Sequence, residues 1–289
     1  MIYLSSFSFP GRDDEFEFFR HQNMTCYTSF YPFQVLAEKG INTFDFSHVT
    51  IFYGGNGSGK TTALNVIGEA LGLRRDSVYN RSSFFESYTA LCGYELNTSL
   101  PENGRVITSD DVFDYILNIR SLNGNIDGKR EELFKEYTED KYSHFQLKSM
   151  EDYDKLKRVN QVRSNTKSKY VKNNLMNNVR ERSNGENAYY YFFDRLKENG
   201  LYLLDEPENS LSPERQTDIL EIIEDSAACL GCQFIISTHS PFLLSARGAK
   251  IYDLDEIPVS VKHWTELGNV RMYYDFFKRH ENEFKNPKG

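Results

Sequence analysis

Eight consecutive residues, Gly54-Gly55-Asn56-Gly57-Ser58-Gly59-Lys60-Thr61, match G-x-x-x-x-G-K-[ST] without a mismatch. Four glycines let the backbone curl with its N–H groups inward, and a helix opening at Thr61 and Thr62 adds the positive end of its dipole. Such a loop holds phosphate oxygens; Lys60 reaches the β- and γ-phosphates and the Thr61 hydroxyl ligates Mg²⁺. Far downstream, Asp205-Glu206-Pro207 closes the apolar run Leu201-Tyr202-Leu203-Leu204. A strand end places Asp205 beside the phosphate loop, where it holds Mg²⁺ directly or through water, and Glu206 polarises a water for in-line attack on the γ-phosphate. His239, in Thr238-His239-Ser240-Pro241 just past the apolar run 233–237, is placed to bond that phosphate and fix the water. Ser183-Asn184-Gly185-Glu186 precedes an apolar helix and forms a second anion-binding helix start. With one phosphate loop already present, that second start suggests capping the ATP of a partner subunit.

The elements that must position these groups are legible as a pattern. Val49-Thr50-Ile51-Phe52-Tyr53 reads as a buried strand, and apolar residues at 63, 64, 66, 67, 70 and 71 have helical spacing up to a closing Gly72. Residues 2–9 read as a first strand and Asp13 to Glu17 as an acidic loop. Ile41 to Phe46 reads as a strand that hairpins into 49–53. Ser82/Ser83 caps a helix to about Leu91, 105–108 is a short strand, and Ser109 or Asp110 caps a helix with Phe113, Ile116 and Leu117 on one face. Ser121 to Gly128 is rich in turn residues, and apolar positions are sparse from 138 to 187. The core returns at Leu201. Ser212-Pro213 starts a helix with Ile219, Leu220, Ile222 and Ile223 as its stripe, strands follow at 233–237, 251–254 and 259–261, and a helix over 267–284 closes the chain. This order predicts an α/β fold with a parallel core sheet, an N-terminal antiparallel side sheet and an inserted, mostly helical lobe. The expected divisions are 1–75, 76–180 and 181–289.

With 289 residues, 39% hydrophobic, 22 Phe and 19 Tyr, the chain is long and apolar enough for a substantial core. A net charge of −8 excludes a uniformly basic nucleic-acid binder but not a local patch. No stretch approaches the ~20 apolar residues of a membrane span. Met1-Ile2-Tyr3-Leu4 lacks the regions of a signal peptide, and four irregularly spaced cysteines give no disulfide framework, so a reducing cytoplasm is expected.

A phosphate loop alone fits kinases, GTPases and ATPases. There is no N/T-K-x-D base-reading motif of a GTPase. The order of phosphate loop, S-x-G-E, LLDEPE and ISTHSP resembles the ATP-binding cassette (ABC) ATPases. More closely, it resembles the soluble bacterial AAA-family ATPases of the SMC/RecF/OLD-like branch. The resemblance covers Phe46 to Ala70 and about Arg180 to Asp255. It implies a P-loop NTPase of ABC type that hydrolyses ATP with Mg²⁺ and sandwiches two ATPs in a homodimer. Ser183 and Gly185 would then contact the γ-phosphate held by the other chain, and Glu208 to Ser212 would cross the dimer interface. Transporter cassettes carry L-S-G-G-Q where this chain has Arg182-Ser183-Asn184-Gly185-Glu186, and the glutamine loop is not recognisable. Both departures favour the soluble branch, in DNA repair or antiviral defence, over a transporter subunit, and an intact Glu206 argues against an ATP-driven dimerisation module with little turnover. Asp110, at the place of the missing loop, is a candidate Mg²⁺ group or a plain helix cap.

Residues 155–182 hold nine basic residues against one acidic, a local charge of +8. The stretch (Lys155, Lys157, Arg158, Arg163, Lys167, Lys169, Lys172, Arg180 and Arg182 against Glu181) is either a lid surface for nucleic-acid phosphates or a solvated lobe. No nuclease motif is present, so effector chemistry would lie in a separately encoded protein. Cys229 and Cys232 lack a second pair for structural zinc and read as two small, buried residues at a helix-to-strand junction. Trp264, Tyr273, Tyr274, Phe276 and Phe277 read as helix packing.

Overall fold

The computed structural model describes residues 1–21, 26–143, 153–179, 183–209 and 211–285. In chain order its first half carries β1 (Leu4–Ser8), α1 (Arg12–Arg20), β2 (Thr43–Asp45), β3 (Val49–Tyr53), α2 (Lys60–Ala70), α3 (Phe85–Ala90), β4 (Gly93–Leu96), β5 (Arg105–Thr108) and α4 (Ser109–Tyr142). There follow α5 (Tyr153–Ser164), α6 (Lys167–Asn174), α7 (Asn184–Arg195), β6 (Leu201–Asp205), α8 (Pro213–Cys229), β7 (Gln233–Ser237), α9 (Pro241–Leu244), β8 (Lys250–Asp253), β9 (Ser260–Lys262), α10 (Gly268–Arg279) and α11 (Glu281–Lys285).

The core sheet has the order β5-β6-β7-β3-β8-β9, with the first five strands parallel and β9 antiparallel to β8. Every residue of β3, β6 and β7 is buried, which explains why these strands read as continuous apolar runs and not as alternations. The register pairs Thr108 with Asp205, Asp205 with Ser237, Phe52 with Ser237, and Tyr53 with Asp253. The C-terminal ends of these strands therefore lie side by side, the place where a parallel α/β sheet presents its functional groups. The phosphate-loop helix α2 packs on β5, β6 and β7.

A second, antiparallel sheet has the order β2-β1-β4. It buries Leu4, Phe7 and Phe44 in one apolar cluster with Phe52, Leu64 and Ile67. The strand at 43–45 thus pairs with β1 and does not hairpin into β3. The reason is local: Ser47 turns the chain, its N–H donating to Thr50 Oγ1 and its hydroxyl to Val49 O, so β2 and β3 enter different sheets. Gln233, fully buried at the start of β7, stitches the two sheets together. Its Oε1 accepts from Tyr3 N and Leu4 N at 2.8 and 2.9 Å, and its Nε2 donates to Leu4 O and Ser47 O. Gln233→Leu should lower unfolding free energy by about 2–3 kcal/mol in a denaturant titration, because two buried backbone N–H groups lose their acceptor. A loss below about 0.5 kcal/mol would show that the sheets hold without this stitch.

The chain divides into two compact units, 1–113 with 184–289, and 114–183. The second unit is narrower than the insert read from composition, because residues 76–113 include β4 and β5, which belong to the two sheets. It has its own apolar cluster of Leu133, Tyr137, Val162, Tyr170 and Val171, and a pair between Arg158 and the largely buried Asp140 at 2.6 Å.

Five further expectations are corrected. Residues 13–17 lie in α1, not in a loop; the helix buries Glu15 and brings Phe18 and Phe19 against Phe33. The turn-rich 121–128 stretch lies inside α4, where the Asn123 amide exchanges two hydrogen bonds with the backbone of Val179 and Ile126 is buried. These tertiary contacts override weak helix propensity. The third concerns α10. Met272, Tyr273, Tyr274, Phe276 and Phe277 are all about half or more exposed, so this aromatic cluster is not the packed face its sequence suggests. Near the start of α4 Val112 and Ile116 are buried while Phe113 and Leu117 are exposed, and the closing helix is broken at His280 into α10 and α11.

Candidate nucleotide site

The phosphate loop leaves β3 and enters α2 as its spacing requires. Gly59, the residue before α2, has φ of +98°, and a Cβ there would meet Leu36 Cδ2 at 2.9 Å and Val35 Cγ1 at 3.2 Å. Only glycine fits both the left-handed backbone and the segment that presses on it. That segment is itself pinned. Glu15, buried in α1, accepts from Gln34 N with both carboxylate oxygens, and Tyr31 Oη donates to Thr62 Oγ1 at 3.3 Å. Burial raises the Glu15 carboxyl above its ordinary range. Val35, Asn56, Gly57, Gly59, Lys60, Thr61, Thr62 and Glu206 line a cavity of about 400 Å³.

Lys60 is buried, and its ammonium donates to Gly54 O at 2.7 Å and Gly55 O at 3.1 Å. Desolvation lowers its pKa, against the fields of Glu206, Asp205, Asp255 and Glu208. Thr61 Oγ1 donates to Asp205 Oδ1 at 3.1 Å, and the Ser237 hydroxyl donates to the same oxygen. Asp205, 9% exposed at the end of β6, has its pKa raised by burial; the two hydroxyl donors and Lys60 oppose that shift.

Glu206 follows with φ of +46°, a left-handed backbone that a residue with a side chain adopts only under constraint. Its N–H donates to Ser237 O, and the turn directs its carboxylate toward the cavity beside the phosphate loop. One oxygen lies 3.4 Å from His239 Nε2, and the other accepts from Asn209 Nδ2 at 3.0 Å. Residues 54–62, 205, 206 and 239, separated by up to 185 positions in the chain, thus converge on one end of the sheet.

Two positioning groups have a role that the sequence does not assign to them. Glu208 Oε1 accepts from Thr238 Oγ1, His239 N and Ser240 N at 2.7, 2.7 and 3.1 Å, so one carboxylate oxygen holds the whole histidine loop. Burial raises its pKa. Asn269, at the start of α10, donates from Nδ2 to His239 O and from its backbone N–H to Tyr53 Oη. A glutamate three residues past a strand-ending Asp gives no sign in sequence of which loop it will bind.

The helix following Ser183 starts at Asn184, earlier than its apolar residues suggest; Gly185 and Glu186 sit in its first turn and do not line the cavity. Asp110 is exposed in the first turn of α4, whereas Asp111 is buried and accepts from the backbone N–H and hydroxyl of Thr108. Arg180, Glu181, Arg182 and Ser210 lie outside the described residues. Of the two cysteines expected to be buried at the helix-to-strand junction, Cys232 is buried, but Cys229, the last residue of α8, is exposed.

Residues 95–245 match the family described as "AAA domain, putative AbiEii toxin, Type IV TA system". No functionally curated protein matches the chain. Among solved structures it is similar to the SMC head domain from Thermotoga maritima, at 13% identity over 87% of this chain and 94% of that one, with a TM-score of 0.37. It is also similar to the Smc head with an extended coiled coil bound to the C-terminal domain of ScpA from Pyrococcus furiosus, at 13% identity over 96% and 100%, TM-score 0.43. A third is an ATP-binding cassette dimer in a post-hydrolysis state with ADP and Pi, at 13% identity over 77% and 88%, TM-score 0.36. The family match spans more than half of the chain and includes the 205–206 carboxylates and His239, while the phosphate loop lies upstream of it. The chain belongs to this AAA-domain family and is an ATP-hydrolysing P-loop enzyme with an α/β fold built on a parallel core sheet.

Proposed function

We propose that this ATPase works with Mg²⁺, closes around ATP as a homodimer, and serves as a switch in DNA maintenance or phage defence. The observation that carries the catalytic part is that Thr61 and Glu206 line the phosphate-loop cavity, with Asp205 hydrogen-bonded to Thr61 and His239 3.4 Å from Glu206. The residues fit Mg²⁺. A threonine hydroxyl and a buried carboxylate, 3.1 Å apart, are hard oxygen donors. Among the described residues no cluster of three or more His, Cys, Asp or Glu forms a ready-made cage. Mg²⁺ takes one or two protein oxygens and completes its shell with phosphates and water, so this sparse set suits it. When bound, the cation offsets phosphate charge during transfer. Lys60 and the loop N–H groups bind the β- and γ-phosphates. Glu206 orients the attacking water and takes its proton, and His239 holds Glu206 and the γ-phosphate in line.

Ser183, Asn184, Gly185 and Glu186 act in trans in this reading. The positions of Gly185 and Glu186 outside the cavity support that assignment. The toxin in the family's description supports a defence setting in which a separately encoded effector is the partner. Among the described residues no helix is long and apolar enough to cross a membrane.

The DNA part rests on the second unit, where Lys155, Lys157, Arg158, Arg163, Lys167, Lys169 and Lys172 are exposed. Steady-state turnover titrated with double-stranded DNA tests it. Stimulation of several-fold is expected. Replacing Lys157, Lys169 and Lys172 by Ala should weaken DNA binding and flatten its log–log salt dependence by roughly 0.9 per lost phosphate contact. Turnover that ignores DNA, with an unaltered salt slope, makes a protein the partner.

A further inference from the structure

The peptide unit joining Gly54 to Gly55 is held at both ends. Its carbonyl accepts from the Lys60 ammonium at 2.7 Å, and its N–H donates to Asp255, 2.8 Å from each carboxylate oxygen. Asp255 lies 200 residues downstream and arrives through the sheet. Strand β8 pairs with β3 to the register Tyr53–Asp253, Leu254 N then donates to Tyr53 O, and the Lys39 ammonium donates to Leu254 O. The approach is close enough to require the first glycine. With φ of +156°, Gly54 would place a Cβ 2.6 Å from Ser58 Oγ and 3.1 Å from Asp255 Oδ1.

A carboxylate on the N–H and an ammonium on the C=O polarise the same amide in the same sense. Turning that peptide over would aim its carbonyl at the carboxylate and its N–H at the ammonium, so the two charges select one orientation. The loop around Asp255 does not depend on this contact for its own shape. Lys262 bridges Asp253 and Glu256 at 3.0 and 2.6 Å, and Val259 N donates to Lys39 O. Asp255 is exposed and is not among the residues lining the cavity, so it has no contact of its own to offer a phosphate there.

We infer that Asp255 is a positioning residue for nucleotide binding: by locking the Gly54–Gly55 peptide it presents the Lys60 ammonium to the β- and γ-phosphates. The inference rests on the ATPase reading above. Because Lys60 serves the terminal phosphates, its misplacement should affect ATP more than ADP.

The test is titration of the full-length protein with fluorescent methylanthraniloyl ATP and ADP, with thermal unfolding recorded in parallel. Asp255→Ala should weaken ATP binding about tenfold and ADP binding about threefold or less, with Tm within about 2 °C of wild type. Asp255→Asn keeps an acceptor oxygen for the Gly55 N–H and should recover most of the lost ATP affinity. Unaltered ATP affinity in Asp255→Ala, equal losses for ATP and ADP, or Asn no better than Ala would each overturn the assignment. Wild-type binding in the same titration reports on the ATPase reading separately. A wild type that binds no ATP refutes that reading, whereas tight wild-type binding with unaltered variants refutes only the role of Asp255.

Discussion

Replacing Glu206 by Gln should leave ATP binding within about threefold of wild type and cut turnover by about 10²–10⁴-fold. Glu206 lines the phosphate-loop cavity with one carboxylate oxygen 3.4 Å from His239 Nε2, and the structure spends backbone strain to put it there. A φ of +46° in a glutamate costs on the order of 1–3 kcal/mol and persists where surrounding contacts impose it. Here those contacts are the Glu206 N–H to Ser237 O and the Asn209 amide on Glu206 Oε2. Glutamine preserves size and most hydrogen bonding but cannot accept a proton. In the proposed homodimer cycle, blocking hydrolysis also blocks exit from the ATP-bound state, so the variant should accumulate as a dimer with ATP on size-exclusion chromatography while wild type does not. Phosphate release and nucleotide titration check the first half. Turnover retained within threefold would remove Glu206 from the chemistry and leave Asp205 as the carboxylate to examine.

The parts of this site that sequence revealed are those in which local order and chemistry coincide. A strand, four glycines, a lysine and a helix must be contiguous to cradle a phosphate, so residues 49–71 are readable as written. The fully buried strands β6 and β7 and the Ser212 cap with Pro213 were equally local, and the Ser212 hydroxyl does accept from Arg215 N. What escaped depends on partners far away in the chain. Glu15 becomes a buried anchor only because the 31–36 segment folds over Gly59, and Asp255 becomes relevant only through the β3–β8 register. Asn123, Gly124 and Gly128 look like a turn until the Val179 backbone supplies the hydrogen bonds that keep Asn123 within a helix. The α10 aromatics failed in the opposite sense. Their spacing is that of a packed stripe, yet the described residues leave them exposed, since periodicity reports an apolar face without saying what covers it.

Glu208→Ala should lower stability by about 3–4 kcal/mol and reduce turnover by about 10–100-fold, with ATP affinity less affected. One oxygen of this side chain accepts from Thr238 Oγ1, His239 N and Ser240 N, and Thr238 and Ser240 are buried. Alanine leaves three donors without their acceptor, each worth about 1.5–3 kcal/mol against a charged partner and sharing the loss through relaxation. The same change releases the backbone that aims His239 at Glu206, and a displacement of roughly 1 Å at that distance is enough for the rate effect. Glu208→Gln separates position from charge, because the amide oxygen still accepts from the loop; its turnover should stay within a few-fold of wild type. Burial raises the folded-state pKa of Glu208 above its unfolded value, so this group's contribution is complete below the unfolded pKa and is lost as pH rises through the folded one. Gln, which cannot ionise, escapes that loss. The Tm of Glu208→Gln relative to wild type should therefore climb as pH rises from the unfolded-state pKa through the folded one. A flat difference, together with full activity in Glu208→Ala, would show that the histidine loop is held by Asn269 and Gln216 without Glu208.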